Sequence, residues 1–214
     1  MYTVTQGYTR VLEEVDKLGS DYFALPQVLS AFKKEAFDFI EARAKEAEIT
    51  QEVTDDIRTL VVPLKVTLTP NPDDAAHYIA ALPNNYNRLL RLNIMYSDGI
   101  TARKPKIEKF GEHNTNMINP LTSPNRSYPL IQQFSNYFNV ITGLPVGGVI
   151  SPTEMIIIYI KKPTFGTQQG QPIIDLPDSA CELLFAKTAT ALLLNTGDPR
   201  AQVDFQVNQT YRKQ

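Results

Sequence analysis

The chain has 214 residues, of which 43% are hydrophobic and 21% charged, ordinary values for a globular fold and not for a wholly disordered chain. A formal net charge of −2, with a pI near 5.7, gives no global footprint for nucleic acid or an acidic membrane. Cys181 is the only cysteine, which excludes an intrachain disulfide, and the start of the sequence has no basic region followed by an apolar one, so the expected compartment is the cytoplasm.

In chain order, the first third reads as helix. Val4, Val11, Leu12, Val15 and Leu18 recur at three- and four-residue spacing, which predicts a helix over 4–18 that stops at Gly19. Pro26 suits the first turn of a second helix over 26–47, because its missing N–H costs nothing there. Leu29, Phe32, Ala36, Phe39, Ile40 and Ala44 fall on one face of it; Lys33, Lys34, Glu41, Arg43 and Lys45 fall largely on the other. A short helix is predicted over 51–59, capped by Thr50.

A β section is expected from about 61 to 163. Leu64, Val66 and Leu68 alternate with Lys65, Thr67 and Thr69, the period of a half-buried strand, and Pro70, Asn71 and Pro72 should end it. Further strands are predicted at 77–82, 89–96, 137–142 and 155–161. The last is the strongest, since Ile156, Ile157, Ile158, Tyr159 and Ile160 are all β-branched or aromatic. Ser151 and Glu154 match a capping box, but the β run that follows argues for strand. The stretch 97–129, dense in Asn, Pro, Ser and Lys, is expected to be a long loop that is functional or ordered by a partner.

A final helix is predicted over 176–196. Asp175, Pro177 and Asp178 supply a cap, a first-turn proline and negative charge, while Gly197 and Pro199 end it. Leu183, Leu184, Ala186, Ala189, Leu192, Leu193 and Leu194 lie on several faces, so this helix should be packed on more than one side. Asp178, Glu182 and Lys187 make it a core helix rather than a membrane span. Residues 200–214 are expected to form an extended C-terminal arm, with Val203, Phe205 and Val207 alternating and Tyr211 and Arg212 near its end. The fold class that results is α+β. A single domain over 1–199 has a helical bundle formed by the N- and C-terminal helices, with an antiparallel β section inserted.

No assembled active site emerges, and the chain is read as a non-enzyme with no catalytic, cofactor-binding or metal-binding residues. His77 and His113 are the only histidines, and His77 near Asp73 and Asp74 reads as a solvated turn rather than a metal site. Cys181 beside Ala180 reads as a small core residue. The Asp55–Asp56 and Asp73–Asp74 pairs have no apolar setting to split their pKa values. Gly143 to Gly148 is Gly-rich but lacks a lysine and opens no helix, so it reads as a loop between strands. Arg103, Lys104, Lys106 and Lys109 form the one dense basic cluster. Its plain reading is a solvated loop; its functional reading is contact with DNA phosphate or an acidic partner.

One region resembles a known group. Tyr159-Ile160-Lys161-Lys162-Pro163, then Ile174-Asp175-Leu176-Pro177-Asp178, a helix, and Gly197-Asp198-Pro199-Arg200 are similar to the C-terminal half of ring or adaptor proteins of crAss-like podophages. Ala81-Leu82-Pro83-Asn84-Asn85-Tyr86 is similar to a segment that leads into a strand in those proteins. The motifs mark strand ends and helix caps, so no functional residue is carried over. The resemblance implies a structural virion protein of the head-to-tail neck of a tailed bacteriophage. Such a protein assembles in the host cytoplasm as a closed, usually twelvefold ring stacked on the portal or on another neck ring or tail protein. DNA contact there would be passive, and no membrane is involved. Val203, Phe205, Val207, Tyr211 and Arg212 are the expected partner interface, because an extended arm can reach across a neighbour in a closed ring. The rival reading is a non-enzymatic phage binding module for a glycan or protein receptor, which a deep aromatic-lined pocket would favour.

Overall fold

Helical and β segments separate into two compact units, Met1–Leu60 with Pro163–Gln214, and Val61–Lys162. The structure is a computed structural model that describes residues 1–16, 23–50, 55–72, 74–102, 105–108, 117, 123–143 and 148–196. Among the described residues the fold is mixed α+β, with three α-helices, one 3-10 helix and two sheets.

In the helical unit, α1 (Val4–Asp16) buries Val4, Val11 and Val15, and α2 (Leu25–Thr50) buries Val28, Phe32, Ala36, Phe39, Ile40, Ala44 and Ala47. These are the faces the apolar spacing marks. Both helices pack on α3 (Asp178–Asn195). The Phe32 and Phe185 rings lie 5.6 Å apart, and Tyr2 meets Phe185 edge-on at 5.2 Å. Gly7 allows α1 to come this close, since a Cβ there would lie 2.5 Å from Ile173 Cδ1.

The short helix is tighter than its sequence suggests where it is described. A 3-10 helix spans Asp55–Leu60 and buries Ile57 and Leu60; residues 51–54 lie outside the described ones. Asp56 pairs with Arg43 at 3.1 Å and Asp55 with Arg58 at 3.3 Å, which accounts for this carboxylate pair as surface ion pairs. The ends of α3 also differ in detail. Pro177 is its N-cap and has no side-chain atom to cap with, while the Asp175 carboxylate accepts from the Thr164 amide at 3.1 Å. The segment 163–172 is tied down by bridges between Thr3 and Pro172 and between Phe165 and Ile174. At the other end Thr196 is the C-cap, its hydroxyl donating to the Leu193 carbonyl at 2.8 Å.

In the β unit, one sheet has the order β1-β9-β4-β5, with β1 Val61–Thr67, β4 Tyr86–Tyr96, β5 Thr101–Ala102 and β9 Pro152–Lys161. The other has the order β2-β3-β8-β7-β6, with β2 Thr69–Asn71, β3 Asp74–Ala81, β6 Lys106–Ile107, β7 Leu130–Gln133 and β8 Tyr137–Ile141. Leu92, Ile94, Met155, Ile157 and Tyr159 of the first sheet share a core with Tyr78, Ala80, Ile131, Phe138 and Val140 of the second.

The predicted strands are all present, most of them longer at the N-terminal end. The prolines do not end the first strand, however. Leu68 is buried, and the chain passes straight into β2, so the segment turns from one sheet into the other. Ser151 and Glu154 belong to the approach and body of β9, as the β run requires.

Candidate interaction surfaces

The basic cluster is only partly within the described residues. Arg103, Lys104 and Lys109 lie outside them, as do all five arm residues, Val203, Phe205, Val207, Tyr211 and Arg212. Lys106 stands in β6 and is exposed, which corrects the plain loop reading for this part: β6 pairs in parallel with β7. Glu108 is only 9% exposed and accepts from the Gln132 amide at 2.9 Å. Gln132 in turn accepts from Asn139 at 2.8 Å, and the Asn139 amide lies 3.3 Å from His77 Nδ1. A polar row thus crosses β6, β7, β8 and β3. It places His77 in β3, within the strand predicted at 77–82.

A second cluster braces one end of the first sheet. Tyr96 donates to the Arg126 carbonyl at 3.0 Å, the Arg126 guanidinium lies 5.4 Å over the Tyr96 ring, and Arg126 pairs with Asp98. Burial pushes the Tyr96 phenol up to about 12, with Arg126 working the other way. For Asp98, burial pushes the pKa up, but the Ile100 amide and the Arg126 guanidinium together hold it below the usual value. Gly143 packs behind this end with φ of +67°, and a Cβ there would lie 2.2 Å from the Pro124 carbonyl oxygen. The bonding pattern is that of a structural brace. Sequence spacing gave no sign of it, since Asp98 and Arg126 are separated by 28 positions.

Cys181 is buried and its thiol is pushed up to about 11, first by burial and then by Asp178, so it is the core residue its surroundings suggest. Among the described residues no group of histidine, cysteine and carboxylate side chains is placed to hold a metal ion, and no helix is long and apolar enough to cross a membrane.

The backbone edges of the β unit are poor places for strand addition. The Leu68 amide donates to the Thr153 carbonyl at 2.9 Å, so by alternation along an antiparallel pair the even-numbered residues of β1 bond to β9. Val61, Pro63, Lys65 and Thr67 therefore face the free edge, where Pro63 has no N–H and Lys65 is charged. Proline and lysine are the residues that blunt an edge. Beyond the short β5, β4 is interrupted by register shifts at Tyr86/Arg88 and Leu89/Arg91. In the second sheet the outer strands are β2, which contains Pro70, and the two-residue β6.

The helical unit differs. Ala180, Cys181, Leu184, Phe185, Thr188, Ala189, Leu192 and Leu193 of α3 are buried as one broad stripe. Leu183 and Leu194 are 43% and 38% exposed on the opposite side, with exposed Ala186 and half-buried Thr190 between them. The sequence suggested packing on more than one side; among the described residues this helix is packed on one broad side, and Leu183 and Leu194 stay exposed on the other. Lys187 stands at the rim of that face, its ammonium 5.3 Å from the Phe39 ring centre.

No protein-family model matches this chain, and no curated protein matches it either.

Proposed function

We propose that this chain is a structural virion protein, a subunit of a ring in the neck between the portal and the tail of a tailed phage. The observation that carries the reading is α3. Its broad apolar stripe packs on the other helices, while among the described residues Leu183 and Leu194 stay exposed on the opposite side with the small Ala186 between them. A subunit in a closed ring meets a neighbour on each side, and such a neighbour supplies the missing cover. The likeness of 159–163, 174–178 and 197–200 to ring proteins of crAss-like podophages supports the same reading. Of these, 159–163 and 174–178 sit where β9 ends and where α3 begins, which supports a framework role, while 197–200 lie outside the described residues.

The ring would be built of copies of this chain, in twelvefold symmetry by that likeness, and would stack on a portal or an adjacent neck ring. The exposed Lys106 and the basic residues beside it would face the DNA path or an acidic surface of the next ring. The test is to mix the purified protein with the portal protein of the same virion and to image the product. A ring of this chain seated coaxially on the portal is the expected result. A protein that neither forms a ring nor binds the portal overturns the reading.

A further inference from the structure

We propose that Asp98–Gly99, in the turn between β4 and β5, is a site of isoaspartate formation, and that Arg126 holds the reaction back in the folded chain. Of the ten glycines in the sequence this is the one that follows an aspartate, and none follows an asparagine. The turn itself calls for the pair. The Gly99 amide donates to the Tyr96 carbonyl at 2.9 Å and the Tyr96 amide to the Ile100 carbonyl at 3.0 Å. Gly99 therefore stands at the bulge position of a tight hairpin, where the chain takes a positive φ, here +79°. Glycine adopts that conformation without a Cβ penalty. It also leaves its own nitrogen unshielded, since a Cβ built there would meet nothing within 4 Å. Ser97, Asp98, Gly99 and Ile100 are all exposed, so water reaches the site.

The chemistry needs only the chain and water. The Gly99 amide nitrogen gives up its proton and attacks Asp98 Cγ. A C–N bond forms, the bond from Cγ to one carboxyl oxygen breaks, and that oxygen leaves as water with its own proton and the amide proton. One water then opens the five-membered succinimide. Opening at Cγ restores aspartate. Opening at the Asp98 main-chain carbonyl leaves the chain running through the side chain, as isoaspartate. No electrons are exchanged and the mass does not change.

Three contacts oppose the first step. The leaving oxygen has to be protonated, and Arg126 pairs with the Asp98 carboxylate, which favours the ionised form. Asp98 Oδ1 also accepts from the Ile100 amide at 3.1 Å, and the Gly99 proton is engaged by the Tyr96 carbonyl. Arg126 is itself held in place: its guanidinium lies 5.4 Å over the Tyr96 ring, and its carbonyl accepts from the Tyr96 hydroxyl at 3.0 Å. The brace thus sits on the one step of the chain where a protonated carboxyl meets an unshielded glycine nitrogen. Isoaspartate would lengthen the main chain by a methylene between Tyr96 and Ile100, and the two bonds that close the turn would lose their geometry.

The experiment incubates the full chain at mildly acidic pH, folded and in denaturant. Isoaspartate at position 98 is read by peptide mapping with a protease that cuts before aspartate but not before isoaspartate. Labelling by an isoaspartyl methyltransferase is the second readout. Arg126→Gln and Arg126→Lys are run beside the parent, each checked for folding by circular dichroism, and Asp98→Glu serves as the control whose ring would need one more atom. The denatured parent should accumulate isoaspartate at 98, the folded parent far less, and Asp98→Glu none at this site. Folded Arg126→Gln should age several-fold faster than the folded parent. Arg126→Lys, which keeps a charge without the planar fork, should fall between them. If neither variant folds, raised salt weakens the same ion pair in the parent and should speed the folded chain alone. A denatured parent without isoaspartate at 98 overturns the site. Equal rates in the folded and denatured parent overturn the protection. Folded Arg126 variants that age no faster than the parent, or in their place a folded parent indifferent to salt, overturn the role of Arg126.

Discussion

The two units meet the problem of unwanted association in opposite ways. Among the described residues the β unit offers no long unpaired edge: each outer strand is short, shifted in register, or interrupted by proline or lysine. The helical unit has no backbone edge to protect, yet it leaves Leu183 and Leu194 of α3 open to solvent. Under the ring proposal, association would be a matter of side-chain packing on a helix, with the inserted sheets as the body behind it. Scattered exposed apolar residues are normal on a protein surface. What sets these two apart is their place on one face of a helix whose other side is buried and apolar apart from Thr188.

The comparison can be broken most severely from inside the helical unit. Leu184 is fully buried at the contact of α3 with the other helices. Leu184→Ala should cost about 2–5 kcal/mol in denaturant unfolding followed by helical circular dichroism. A loss under about 0.5 kcal/mol, the range of ordinary surface changes, would remove Leu184 from the core. In the β unit the corresponding weak point is Gly143. Alanine there meets both the left-handed backbone penalty, about 1–2 kcal/mol, and the Pro124 carbonyl. Gly143→Ala should therefore lose more than about 1 kcal/mol and speed amide exchange in β8, the strand just before it. An unchanged variant would mean that the Pro124 turn is free to move aside.

The smallest effect concerns Asp98, whose folded pKa is held below its ordinary value. A depressed carboxylate adds stability above its unfolded pKa of about 3.9, and that stability is lost as pH falls through the lower folded value. Asp98→Asn should flatten the acid limb of the stability profile and leave the neutral-to-alkaline shape alone. If the acid limb is the same in both proteins, the Asp98–Arg126 pair does not contribute to it.

Much of the fold could be read from periodicity. Phe32, Phe39 and Ile40 on α2, Leu64 and Val66 on β1, and the isoleucines of β9 all sit where three- to four-residue or two-residue spacing puts them, because burial on one face writes that period into a sequence. Strands β5, β6 and β7 were not legible. The first two have two residues each, and β6 depends on pairing with β7 rather than on local preference. The passage through Pro70 was missed for a similar reason, since Pro70 stands on an outer strand where no ladder bond is required of it. The apolar surround of α3 was legible, but not which side its own chain would cover; that depends on tertiary packing. The bracing of Asp98 by Arg126 joins distant positions and leaves no local mark. The arm residues Val203, Phe205, Val207, Tyr211 and Arg212, like Arg103, Lys104 and Lys109, lie outside the described residues, so their part in the surface rests on sequence alone.

The central claim is that copies of this chain cover one another across α3, and the mass of the assembled protein tests it most directly. Native mass spectrometry of the full chain should give a closed set of copies, twelve by likeness to the phage rings, and the Leu183→Glu, Leu194→Glu variant should give a folded single chain. A full chain that remains a single copy across the micromolar range, and stays so on the portal, would contradict the account.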